Sequence, residues 1–165
     1  HYDSYGSLSS GNTYKYDEQG NEIENKYYDS DGSLSFIIVH TYDRQGNKIE
    51  KIFYQSNGVH INYRNTYKYD EQGNEIEHKK YDSDGSLLKS YAYKYNEQGD
   101  IIKESHYDKG DKGRAHKFGY KYIRKYEYDN MGNWIQRVMF KDESNGDFIS
   151  LKPFTVAKRK IEYYK

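Results

Sequence analysis

The stretch YKYDEQGNEIE runs from Tyr14 to Glu24 and returns unchanged at Tyr67 to Glu77. A second stretch, YDSDGSL, fills Tyr28 to Leu34 and recurs at Tyr81 to Leu87. Repetition this literal decides the fold, because tandem copies imply one supersecondary unit stacked on its neighbours. Looser copies are YDRQGNKIE at Tyr42 to Glu50, YNEQGDII at Tyr95 to Ile102 and YDNMGNWI at Tyr128 to Ile135. The first kind of Gly falls at Gly20, Gly46, Gly73, Gly99 and Gly132, in steps of 26, 27, 26 and 33 residues. The second kind falls at Gly6, Gly32, Gly58, Gly85 and Gly110, so each unit contains two turns, 14 and 12 residues apart.

Asp or Asn opening each turn accepts backbone hydrogen bonds, and Gly tolerates the positive φ that closes it. Between turns lie about eight residues rich in Tyr and β-branched side chains, the length and composition of a hairpin strand. Helix is disfavoured by a Gly about every 13 residues. The structural turn residues are therefore Gly20, Gly32, Gly46, Gly58, Gly73, Gly85, Gly99 and Gly132.

Tyr and Ile stand seven residues apart around each first-kind turn: Tyr16 and Ile23, Tyr42 and Ile49, Tyr69 and Ile76. An even loop of four residues puts both on one face, and a three-residue loop would split them. A four-residue loop is expected. That register collects Tyr14, Tyr16, Ile23, Tyr27, Phe36, Ile38, Phe53, Tyr63, Tyr67 and their later equivalents on an aromatic face. Lys15, Glu22, Glu24, Lys26, Lys48, Glu50, Arg64, Glu75, Glu77 and Lys79 fall on a charged one. The fold class is thus all-β, an antiparallel meander of about 11–12 strands from tandem two-hairpin repeats. Hiding the aromatic face favours a sheet curled into a barrel-like or spiral shell; a flat single-layer sheet is the alternative. Residues 1–146 form the repeat array, and 147–165, which hold the only Pro, read as a closing hairpin.

Composition narrows the function. Among 165 residues, 26 Lys and Arg balance 26 Asp and Glu, so the overall basic charge that usually supplies nucleic-acid affinity is missing. No apolar run is long enough to cross a bilayer as a helix. Cys is absent, which removes disulfides and thiolate metal sites. The 22 Tyr supply core area where Leu is scarce.

YDEQGNEIE and YDNMGNW resemble the tyrosine-aspartate (YD) or rearrangement-hotspot (RHS) repeat family, over roughly residues 1–146. The resemblance implies β-hairpin arrays on secreted or surface proteins of bacteria, and hence an extracellular or cell-surface location. Long arrays of that family wind into a hollow shell that sometimes encloses a toxin, so a fragment of a toxin-delivery shell is one alternative. YYDSDGSL also resembles a MORN-type variant repeat. Neither resemblance implies a catalytic residue.

The chemistry candidates each have a plainer reading. Asp29, Asp31 and Ser33, with Asp82, Asp84 and Ser86, suggest calcium, but their Gly arrives too early for a calcium loop and suits a hairpin turn. Glu22 with Glu24 and Glu75 with Glu77 suggest glycosidase acids, yet they repeat, whereas such a pair needs unlike environments. The six His share no metal-ligand spacing; His40, His78 and His106 are expected on the aromatic face, hydrogen-bonded to Tyr. No metal or cofactor is expected. Trp134 replaces the Glu or Lys found at its position in the better-preserved copies, and alternation places it on the charged face beside Val138 and Phe140. Trp134 and Phe140 are thus the candidate binding residues. The expected function is a non-catalytic secreted or cell-surface module acting as a structural or interaction scaffold. Carbohydrate binding through exposed Tyr and Trp is the alternative. Expected partners are a glycan or another protein, with self-association through edge strands.

Overall fold

The computed structural model describes residues 10–109, 118–142 and 153–163. Every regular element in them is a strand: β1 (Ser10–Tyr16), β2 (Glu22–Asp29), β3 (Leu34–Tyr42), β4 (Lys48–Gln55), β5 (Ile61–Tyr69), β6 (Glu75–Asp82), β7 (Leu87–Tyr95), β8 (Ile101–Asp108), β9 (Phe118–Tyr128), β10 (Trp134–Asp142) and β11 (Pro153–Lys158). Strand order follows chain order from β1 to β11, an all-antiparallel meander. The turns expected at Gly6 and Gly110 lie outside the described residues. So does the whole of the segment 147–152; what is described beyond it is the strand β11, paired with β10, and residues 159–163.

The chain divides into two compact units, His1–Leu88 and Lys89–Lys165. In the first, β1 to β6 each touch only their neighbours in the order. In the second, β8 to β11 do the same. Among the described residues β1 and β11 stand at the two ends of the strand order and are not paired with each other, so the expected barrel closure is not seen there. A single layer is the arrangement observed within each unit.

The turns explain the register. Asp17 N–H donates to Asn21 O at 3.0 Å and Gly20 N–H to Asp17 O at 3.1 Å, leaving Glu18, Gln19 and Gly20 as a three-residue loop. Gly20 sits at φ 87°, where a side chain would crowd its own carbonyl. The expected four-residue loop is thus incorrect for this turn. Tyr and Ile nevertheless keep one face, because a bulge follows: Lys15 opposes Glu24 and Tyr16 opposes Glu22, so one extra residue is inserted between them. Loop and bulge together restore the even count that the seven-residue spacing demands. The same shift recurs at Tyr42 with Lys48 and at Tyr69 with Glu75.

Direct pairing then fixes the faces in the first unit. Tyr27 opposes Phe36, Ile38 opposes Phe53, and Phe53 opposes Tyr63. Their rings form a stacked ladder, Tyr27 to Phe36 at 4.0 Å, Phe36 to Phe53 at 4.7 Å and Phe53 to Tyr63 at 5.0 Å. Each such pair contributes about 0.5–1.5 kcal/mol beyond the area it buries. Lys80 lays its ammonium 4.3 Å from the Tyr63 ring centre, extending the ladder by a cation–π contact.

This face is less oily than the sequence implies. Asn25, His40 and Asn65 are among its most buried residues, at 5%, 8% and 8% exposure, beside Ile38 at 9%. The opposite face carries Ile37 against Tyr54 and Val39 against Ile52 among its charges. A dry shell interior would strand those amides and that imidazole away from water. Mixed chemistry on both faces suits an open layer, covered by rings and long charged stems.

Candidate functional site

Along one end of the sheet, the first-kind turns are built from the same hydrogen bonds. Asp17 Oδ1 accepts from the backbone N–H groups of Gln19 and Asn21, at 3.0 and 2.8 Å, while Asn21 Nδ2 donates to Asp17 Oδ2 at 2.9 Å. Asp43 and Asp70 repeat this with Asn47 and Asn74. The Asn side chain is the main reason that the Asp17, Asp43 and Asp70 carboxyls are held below their ordinary value.

Tyr hydroxyls tie one turn to the next, a feature that sequence reading missed. In the first unit Tyr42 Oη donates to Glu22 O at 3.0 Å, and Tyr69 Oη donates to Lys48 O at 2.9 Å. Both acceptors stand two residues past a turn Gly, where the bulge disturbs the ladder. The second unit uses the same acceptor position through Tyr126, whose hydroxyl donates to Ile101 O at 3.1 Å. Tyr128 reaches the loop itself, donating to Asp100 Oδ2 at 2.7 Å and accepting from Asn96 Nδ2 at 2.6 Å. Tyr163 does likewise at the following turn, donating to Asp129 Oδ2 at 2.5 Å and accepting from Asn133 Nδ2 at 2.6 Å. Recurrent Tyr before Asp was the available signal; only the coordinates show its hydroxyl bound to the preceding turn.

Between the Asp17 and Asp43 turns lies an open groove of about 660 Å³, lined by Asn21, Ile23, His40, Tyr42, Arg44 and Gln45 among others. His40 Nε2 stands 3.6 Å from Glu22 Oε1. Burial keeps the imidazole below its ordinary value, with Lys48 and Lys51 adding to the effect and Glu22 opposing it. His40 is therefore neutral near pH 7.

The bulge also separates the paired carboxylates. Glu22 turns toward His40, whereas Glu24 meets Lys15 at 3.0 Å and Lys26 at 3.5 Å. Glu77 meets Lys68 at 3.0 Å and Lys79 at 2.7 Å in the corresponding arrangement. Lys15 is the chief reason that Glu24 is lowered, and Lys79 the chief reason for Glu77. Placing Glu22, Lys48 and Glu75 on the charged face is therefore corrected: each opposes the Tyr before its turn, and Lys48 Nζ lies 5.9 Å from the Tyr42 ring centre.

The Asp residues of the second-kind turns serve the backbone. Asp31 Oδ1 accepts from Ser33 N–H at 2.9 Å, and Asp84 Oδ1 from Ser86 N–H at 2.7 Å. Among the described residues no group of three or more His, Asp or Glu is placed to hold a metal ion.

His78 stacks on Tyr67 at 4.6 Å and shares a 3.2 Å hydrogen bond with Asn65 Oδ1. His106 lies edge-on to Tyr91 at 4.8 Å and meets Glu104 Oε1, while Arg124 donates to Glu104 Oε2. Burial works against ionising Glu104, but the bonds from Arg124 and His106 outweigh it and lower its pKa. This cluster has a base and an orienting acid. Ser105, the hydroxyl beside it in sequence, pairs with Ala92 on the opposite face.

Trp134 and Phe140 are not brought together. A register shift between Trp134 and Gln136 breaks the alternation that placed Trp134 on the charged face. Its ring instead meets Arg159 at 4.1 Å and Arg137 at 5.5 Å from the ring centre, and Arg159 Nε donates to Trp134 O. Arg137 opposes Tyr126, so Trp134 gathers with the aromatic face, whereas Phe140 opposes Ile123 and has Lys125 at 5.6 Å.

No protein-family model matches this chain, and no curated protein does.

Proposed function

We propose that this chain is a non-catalytic β-repeat module of the YD or RHS kind, secreted or displayed at a cell surface, that acts as a structural or interaction scaffold. One observation carries the reading. The polar groups that recur from copy to copy are engaged in building each turn and hairpin and, through the Tyr hydroxyls, in joining one copy to the next. Turn Asp residues bind backbone N–H groups, Glu24 and Glu77 bind flanking Lys in the same way, and Tyr42 and Tyr69 bind bulge carbonyls. An active site requires groups in unlike environments, and these environments are copied. Carbohydrate stacking on Trp134 is disfavoured, since Arg159 and Arg137 already occupy positions over its ring.

Excising one unit tests the proposal. Removing Asn21 to Gly46 joins Gly20 to Asn47 and keeps an intact Asp-Glu-Gln-Gly-Asn turn. A scaffold of nearest-neighbour units stays folded, with a β-type circular dichroism spectrum and a modestly lower melting temperature. Loss of cooperative unfolding, or a hydrolytic activity in the parent protein that point mutation abolishes, would contradict it.

A further inference from the structure

A first-kind turn sets a carboxylate and an amide four residues apart: Asp17 with Asn21, Asp129 with Asn133 and, in exchanged order, Asn96 with Asp100. In the second unit this pair holds a tyrosyl hydroxyl. Tyr128 Oη donates to Asp100 Oδ2 at 2.7 Å and accepts from Asn96 Nδ2 at 2.6 Å. Tyr163 Oη donates to Asp129 Oδ2 at 2.5 Å and accepts from Asn133 Nδ2 at 2.6 Å. The two tyrosines arrive by different routes, Tyr128 from the strand β9 and Tyr163 from outside any strand, beyond β11. The pair therefore selects a phenol and not a particular place in the repeat.

In the first unit the pair at Asp17 receives no such hydroxyl. Tyr42 stands where Tyr128 stands, one residue before a turn Asp, but donates to Glu22 O at 3.0 Å. His40, at the position of Tyr126, carries no hydroxyl. Asp17 and Asn21 bind each other at 2.9 Å, and among the described residues no tyrosyl hydroxyl reaches either. Both side chains line the groove of about 660 Å³, a volume ordinary for a small-ligand site. Ile23, His40 and Tyr42 give the same groove the apolar and flat surfaces that a ring packs against. Imidazole against phenol is a pairing this unit already uses, His78 stacking on Tyr67 at 4.6 Å. His40 is 8% exposed, and its Nδ1 has no hydrogen-bond partner among the described residues, so the polar contacts beside the groove are incomplete.

We propose that this groove binds a phenol of the kind a tyrosine side chain presents, with its hydroxyl between Asp17 and Asn21 and its ring against Ile23, His40 and Tyr42. The hydroxyl donates to Asp17 Oδ2 and accepts from Asn21 Nδ2, as Tyr163 does at Asp129 and Asn133. A carboxylate beside an amide donor matches a hydroxyl, which gives one hydrogen bond and receives another. The proposal rests on reading the chain as an interaction scaffold and gives that reading a ligand chemistry.

The test follows backbone and side-chain amide NMR signals of the full chain during titration with N-acetyl-tyrosinamide, p-cresol and, as the control without a hydroxyl, N-acetyl-phenylalaninamide. Saturable shifts at the Asn21 side-chain amide and at Ile23 and His40 are expected with both phenols; tighter binding of the tyrosine derivative would point to a peptide source, and of p-cresol to a free phenol. The phenylalanine derivative should bind about 3- to 10-fold more weakly, the range for one lost hydrogen bond. Asp17→Asn should weaken the phenols by a similar factor. A turn opened by Asn already folds in this chain, since Asn96 Oδ1 accepts from the N–H groups of Gln98 and Asp100 at 3.1 and 2.8 Å. Adding Asn21→Asp to Asp17→Asn recreates the Asn96–Asp100 order and should restore binding. No saturable shift at the groove, equal binding of the phenylalanine derivative, indifference to Asp17→Asn, or failure of the folded double variant to recover would each overturn the proposal. None of these outcomes bears on the unit-excision result, so the scaffold reading stands or falls separately.

Discussion

The Tyr that precedes each turn Asp illustrates how much can rest on a single oxygen. Phe would serve the ring stacking of the aromatic face as well as Tyr does. Only a hydroxyl reaches the bulge carbonyl of the preceding turn, as Tyr42 does at Glu22. Tyr42→Phe should therefore destabilise the protein by about 1 kcal/mol, the usual net worth of such a bond, read from chemical denaturation. Two classes of titrating residue set the pH dependence. His40 and His78 are held below their ordinary value near 6.5, chiefly by burial, with Lys48, Lys51 and Glu22 facing His40 and Glu75 and Lys80 facing His78. Below that value the unfolded chain takes up protons that the folded chain refuses. Stability is thus full above about pH 6.5 and falls as pH is lowered. The melting temperature should drop as pH is lowered below about 6.5, and replacing both His by Gln should flatten that slope. The turn Asp residues act lower: being depressed, they stabilise above their ordinary value of 3.8, and that contribution is lost as pH falls through the folded-state values.

At the scale of the element, the unit is a turn and a bulge acting together. Sequence spacing required Tyr16 and Ile23 to share a face, and that requirement is met. The means differs from the four-residue loop that counting suggests, because a three-residue loop with a positive-φ Gly is followed by one inserted residue. A parity argument sees only the sum of loop and bulge, so it cannot separate them. The same blindness misplaced Glu22, Lys48 and Trp134, each standing at the bulge where alternation lapses. Strand existence and turn positions were legible because Gly and Asp mark them locally. The contact of Arg159 with Trp134 was not, since it depends on β11 returning beside β10. Two tests follow. Gly20→Ala places a side chain at φ 87° and should cost about 1–2 kcal/mol in denaturation. Trp134→Ala should speed hydrogen exchange in Thr155 to Ala157 while leaving β2 to β4 unaffected, since Arg159, which follows β11, loses the ring it lies against beside β10.

For the whole molecule, the question sequence left open was how a chain rich in Tyr and charge hides its rings. It does so without an enclosed core among the described residues: Ile38 is the only buried hydrophobic residue there, and no side chain is fully buried. Stability comes instead from many half-buried stacks, cross-strand ion pairs and turn ties, each made with an adjacent strand. Asn25, His40 and Asn65 make the most buried part of the first unit polar as well as apolar. Alternation placed His40 on the aromatic face, but nothing in the sequence marks Asn25 or Asn65 as buried.

That account depends on register, and register can be read chemically because the chain has no Cys of its own. Thr13 opposes Lys26 and Tyr14 opposes Asn25; Thr66 opposes Lys79 and Tyr67 opposes His78, the equivalent pairs two repeats later. Engineered Cys at these directly opposed pairs, oxidised mildly and compared with pairs displaced by one residue, gives the most direct measurement. The shared turn-and-bulge register predicts rapid disulfide formation at the same opposed pair in both repeats, and none at the displaced pairs. Preferential cross-linking of Thr13 with Asn25, or different preferences in the two repeats, would contradict it.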